Sequence, residues 1–115
     1  VREALAIQRR SLDPDHPSLA HTLIRLGDIE LSLGRPKEAL VNFEEVLRIR
    51  KSRDGEALDV AEAKFAVARA LRAAGRDKTR STGLLAESEA KARDLGKPAA
   101  ALLKEIEAYK AEQDL

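Results

Sequence analysis

Cysteine, methionine and tryptophan are absent from these 115 residues, and aromatic side chains make up only 3% of them. Without cysteine there can be no disulfide, thiol nucleophile or thiolate metal site. No apolar run approaches the roughly 18 residues that a membrane-spanning helix requires. An excess of one charge is missing too: 36% of the residues are charged, yet the net charge is +1. Nucleic-acid grooves need clustered, unopposed Lys and Arg, and single-strand platforms need aromatics stacked beside them. With two Phe, one Tyr and balanced charge, neither is expected. Nor is there a Gly-rich phosphate loop, a nucleophile with a base in reach, or a pair of acids in an apolar setting. An enzyme active site and a bound cofactor are therefore not expected. The chain shows no secretory leader and opens inside an amphipathic pattern, Val1-Arg2-Glu3-Ala4-Leu5. It reads as a piece of a longer protein, with the cytoplasm as its expected setting.

What is present in abundance is Ala, Glu, Lys, Leu and Arg, roughly three fifths of the chain, a composition typical of repeated helices. The sequence also says nearly the same thing twice. VREALAIQRR from Val1 returns 42 residues later as FEEVLRIRKS from Phe43, and LAHTLIRLGDIELSLGR from Leu19 returns at a shift of 41 as VAEAKFAVARALRAAGR from Val60. A period of this length marks stacked supersecondary units, each unable to bury its apolar face alone.

Apolar spacing and breakers predict six helices and no strands. The first covers residues 1–12 and stops at Asp13-Pro14-Asp15-His16-Pro17. A second opens at Pro17 or Ser18 and ends at Gly34, a left-handed terminator. The third follows Arg35-Pro36 and dies near Arg53-Asp54-Gly55, the short link forcing an antiparallel hairpin. Helix four runs from about Glu56 to Ala74. Helix five is expected only from Arg80 or Leu84 to Asp94, because residues 77–83 hold no apolar side chain where residues 36–42 hold several. Helix six starts at Lys97-Pro98 and frays by Gln113.

Leu23, Leu26, Gly27, Ala39, Phe43 and Val46 together resemble the tetratricopeptide repeat, and the linker LDPDHPSLA is similar to that of the 42-residue variety in kinesin light chains and bacterial signalling proteins. The resemblance implies an all-α, right-handed superhelix of about three antiparallel hairpins in one domain. Residues 1–12 would be the second helix of a truncated repeat, 17–53 a complete repeat, 56–94 a degenerate one and 97–113 a C-terminal cap. Glu30 departs from the family's frequent Tyr, and Lys64 stands on the apolar face where Leu23 stood. The texture of residues 68–96 also resembles the repeat tails of bacterial serine/threonine protein kinases.

In this family the first helix of each hairpin lines a concave groove. The matching positions are His21, Ile24, Asp28 and Leu31 on helix two, and Glu62, Phe65, Arg69 and Arg72 on helix four. Ile24 and Phe65 would be apolar anchors, with Arg69 and Arg72 meeting acidic flanks of a peptide. Alternatively both anchors pack against a neighbouring hairpin. A terminal carboxylate is not the expected ligand, since Ile24 and Asp28 replace the Lys and Asn that would grip it. The resemblance thus implies a non-catalytic protein-interaction module with a protein or peptide partner. The alternatives are a structural cap, self-association through helix one with Val1, Leu5 and Ile7 bare, or the regulatory tail of a kinase. Three minor features carry a second reading: His16 beside Asp13 and Asp15 as a metal ligand or a helix cap, and Arg9-Arg10-Ser11 or Arg80-Ser81-Thr82 as phosphorylation sites.

Overall fold

The computed structural model describes residues 2–11, 16–52 and 56–115. Val1 and the expected linkers at 12–15 and 53–55 lie outside the described residues. Six α-helices and one 3-10 turn are found among the described residues, and no strand. They are α1 (Arg2–Ser11), α2 (Pro17–Ser32), α3 (Pro36–Ser52), α4 (Ala57–Ala73), α5 (Lys78–Leu95) and α6 (Ala100–Glu112), with the 3-10 turn Lys97–Ala99 before α6.

Both hairpin turns use the same device. Gly34 adopts a left-handed φ of 74°, which lets its own N–H bond to Leu31 O and the N–H of Arg35 reach back to Glu30 O at 2.9 Å. Gly75, at φ 66°, repeats the arrangement with Arg72 O and with Arg76 N–H on Leu71 O. A residue without Cβ satisfies the orphan carbonyls at each helix end and reverses the chain within a few residues. Contacts confirm the reversal. Gly27 faces Phe43 while Glu30 faces Asn42; Ala61 faces Ser88 while Ala68 faces Ser81.

Packing follows chain order, α2 on α3, α3 on α4 and α4 on α5, with α1 and α6 at the two ends. The result is an elongated stack of helical hairpins, 41 × 30 × 21 Å. Where α2 crosses α3, Phe43, fully buried, lies flat against Gly27. A Cβ on Gly27 would sit 2.8 Å from Cδ1 and Cζ of that ring, so only glycine fits. Ala39 is likewise fully buried. Glu30, unusual on an apolar face, is buried and accepts a 2.5 Å hydrogen bond from Asn42 Nδ2, which meets the demand of a desolvated carboxylate.

Helix five departs from expectation: it begins at Lys78, ahead of Arg80 or Leu84. Asp77 caps it by accepting the Arg80 N–H at 3.0 Å. The turn before it is one residue longer than the turn after Gly34, so the matching shift becomes 42 along this helix. At that shift Ser81, Leu85, Ser88 and Ala92 take the places of Ala39, Phe43, Val46 and Arg50, and all eight are buried. The two serines fill small sites without orphaning their hydroxyls. Ser81 Oγ donates to Ala68 O at 2.9 Å and Ser88 Oγ to Ala61 O at 2.8 Å. Polar side chains therefore do the packing that hydrophobic periodicity assigns to apolar ones.

Charged clasps join alternate helices, α1 to α3 and α3 to α5. Arg9 on α1 makes two hydrogen bonds to Glu45 on α3, at 2.9 and 3.1 Å. Arg80 on α5 makes two to Glu44, at 2.6 and 2.7 Å. Bidentate guanidinium–carboxylate geometry fixes orientation as well as distance.

Candidate interaction groove

The first helices of the hairpins, α2 and α4, share one wall with α6. Asp28 and Leu31 on α2, Phe65 and Arg69 on α4, and Glu105 and Tyr109 on α6 line a groove of about 480 Å³. A smaller hollow of about 300 Å³ shares Leu31, Arg69 and Tyr109 and reaches Arg72 and Gln113.

Of the eight residues singled out from the sequence, four line the main groove. His21 is exposed near the start of α2 and Ile24 is half-buried against the core. Asp28 pairs with Arg69 Nη2 across α2 and α4 at 3.4 Å. Leu31 is half-buried at the groove edge. Glu62 binds Arg50, a buried guanidinium on α3 that also donates to Asp59 O, so it helps tie α3 to α4. Arg72 lies outside the main groove and lines the smaller hollow, where its Nε donates to Gln113 Oε1 at 3.2 Å.

Two expectations are corrected here. Phe65 is not an open anchor: it is 3% exposed, because Tyr109 of α6 meets it edge-on, with ring centroids 5.5 Å apart and planes at 81°. Arg69 and Arg72 do not stand free to meet acidic flanks. Arg69 is held by Asp28 and lies over the Phe65 ring at 4.7 Å, a cation–π arrangement, while Arg72 is held by Gln113. Leu5, expected to be bare, is half-buried against the core; Ile7 is 57% exposed.

Burial dominates the groove's electrostatics. It pushes the Asp28 carboxyl above its ordinary range, Arg69 pulls it back down, and Glu62 adds to the rise. Burial also pushes the Tyr109 hydroxyl up, against the pull of Arg72 and Arg69. Arg69 Nε is buried without a hydrogen-bond partner among the described residues.

Sequence reasoning missed the contribution of α6. A signal was there: Asp28 to Arg69 and Arg72 to Gln113 are both 41 residues apart, so continuing the repeat step would have carried the wall into the last helix. Glu105, Tyr109 and Glu112 fall on one face of α6 by helical spacing and line this wall.

A larger crevice of about 600 Å³ lies between α4 and α5, lined by Val60, Ala61, Lys64, Glu87 and Ala90 among others. Alanine fills too little space there, and Lys64 stands in place of a leucine. Its charged side chains pair among themselves, Lys64 with Glu87 at 3.6 Å and Lys91 with Asp94 at 3.9 Å. The inner groove, by contrast, is lined by three helices, α2, α4 and α6.

The minor features resolve simply. His16 Nδ1 accepts the Ser18 N–H at 3.1 Å and so caps α2; Asp13 and Asp15 lie outside the described residues. Ser81 is buried and bonded, closed to a kinase, whereas Thr82 beside it is exposed. In the other basic triplet Arg9 is engaged by Glu45 and Arg10 Nε donates to Ala6 O. Among the described residues, no helix is long and apolar enough to cross a membrane.

Residues 1–52, spanning α1 to α3, match a family model described as the tetratricopeptide repeat. No curated protein matches the chain. Domains of the matched family generally mediate protein–protein interaction and are generally not catalytic.

Proposed function

We propose that this chain is a non-catalytic interaction module of a larger cytoplasmic signalling protein, and that the wall formed by α2, α4 and α6 receives a peptide or protein segment. The observation that carries this reading is the groove itself. Three successive first-position helices contribute to one concave surface, with half-buried Leu31 and Tyr109 beside charged side chains. Such a mixture of apolar body and polar tips suits recognition of an extended or helical segment. The 42-residue spacing of Ala39 and Ser81, and of Phe43 and Leu85, supports the kinesin-light-chain-like variety. A repeat region following a bacterial kinase domain is the narrower form of this reading, and it rests on the helical texture of residues 68–96.

The test is binding of displayed peptides to the chain and to Leu31→Lys and Tyr109→Ala. Loss in both variants, with helicity retained, supports the groove. Unchanged affinity in both removes it.

One observation favours a second reading, self-association or stacking at the α1–α2 end. Ile29 on α2 is 46% exposed and Leu33, just past its C-terminus, 62%, whereas Ala70, the residue 41 positions beyond Ile29, is fully buried. Sedimentation across concentration checks it: a dimer that disappears in Ile29→Lys/Leu33→Lys supports this face, and a concentration-independent monomer excludes self-association.

A further inference from the structure

The inner wall carries more negative than positive charge that is still available. Its two guanidiniums are already engaged, Arg69 by Asp28 and the Phe65 ring, Arg72 by Gln113. Glu105 and Glu112, in contrast, make no hydrogen bond or ion pair among the described residues. They stand four residues before and three after Tyr109, so the three side chains share a face of α6. Across the groove is Asp28, whose single ion-pair partner among the described residues, Arg69, approaches only to 3.4 Å. Burial raises the Asp28 carboxyl despite Arg69, as expected for a carboxylate whose charge is incompletely met. The same groove is lined by Leu31, Ala108 and the Tyr109 ring, which supply apolar and aromatic surface beside these carboxylates.

Resting on the groove reading above, we infer that the occupant of this groove is a basic peptide segment, carrying Lys or Arg around at least one apolar residue. The apolar residue sits on Leu31 and Ala108. A cationic head enters between Glu105 and Glu112 beside the Tyr109 ring, where both Coulomb attraction and the ring's negative face favour it. A second cation reaches Asp28. Acidic segments are disfavoured, because they would have to displace Asp28 from Arg69 or approach Glu105 and Glu112, which no cation pairs among the described residues. This reverses the charge that the sequence alone suggested for the partner, and the reason is α6: it brings two acids, while the arginines of α4 turn inward to their own partners.

The experiment is a selection of random 12-residue peptides displayed on phage, using the whole 115-residue chain, followed by anisotropy titration of individual fluorescein-labelled winners. Enriched peptides should carry net positive charge with an interleaved apolar residue. Their affinity should fall at least tenfold in Glu105→Lys/Glu112→Lys, two exposed positions whose reversal leaves helicity unchanged, and should weaken as salt rises. Gly/Ser peptides of the same charge should bind far more weakly. Acidic winners that depend on Leu31 and Tyr109 would overturn the charge inference while leaving the groove standing. Winners indifferent to Leu31→Lys and Tyr109→Ala, or no enrichment at all, would overturn both. Equal binding by the Gly/Ser controls would reduce the effect to unspecific attraction and overturn the inference as well.

Discussion

Gly27 and Phe43 illustrate how one residue's size sets the distance between two helices. The ring occupies the space that any side chain on Gly27 would need. Gly27→Ala should gain about 1 kcal/mol of helix propensity but lose about 1–3 kcal/mol to overpacking against a ring that is fully buried. Urea denaturation is expected to show net destabilisation, and adding Phe43→Leu should recover part of it. Volumes of this kind were legible in the sequence, because a glycine in mid-helix and an aromatic 16 positions later have few other reasons to be there. Burial of Phe65 was not legible in the same way. Its cover comes from Tyr109, which lies 44 residues on, outside the 41-residue step, so repeat arithmetic alone does not pair the two rings.

At the scale of the element, α5 shows where hydrophobic periodicity stops informing. Its start looked empty because the apolar template was sought one residue out of register and because two of its packing residues are serines. Each buried hydroxyl is answered by a carbonyl of α4, so Ser88→Ala should cost about 1 kcal/mol by denaturant midpoint. The joint between α5 and α6 depends on Glu89, which accepts from Lys110 at 2.9 Å and from Arg93 at 3.2 Å. These partners, Lys110 foremost, hold the Glu89 carboxyl below its ordinary range. A depressed carboxyl stabilises the folded state above its unfolded pKa, and that contribution is lost as pH falls through the folded value. Acidification should therefore loosen α6. Glu89→Gln should lower stability at neutral pH and flatten that acid limb, followed through Tyr109 emission.

For the whole molecule, Tyr109 is the single tyrosine, and tryptophan is absent, so near-ultraviolet signals report the α4–α6 contact almost alone. Burial holds its hydroxyl above the usual tyrosine range. The folded state is then favoured fully below the unfolded tyrosine pKa, and the advantage is lost as pH rises through the folded one. Spectrophotometric titration should give a higher midpoint in the native protein than in urea, and Tyr109→Phe should remove this alkaline limb. The order of the stack was readable from spacing and breakers. How its walls are charged was readable only in part: the pair Asp28–Arg69 follows the 41-residue step, whereas Glu44–Arg80, 36 positions apart, does not and depends on side-chain reach.

Glu44 and Glu45 are consecutive on α3, so they point to different sides, one gripping α5 and the other α1. Each exposed grip is worth only about 0–1 kcal/mol, yet both converge on the middle of the array. The third helix is consequently the keystone, restrained from two directions while the outermost helices are held from one. Amide exchange should proceed as a thaw from both extremities, with α1 and α6 losing protection first and the α3–α4 seam last.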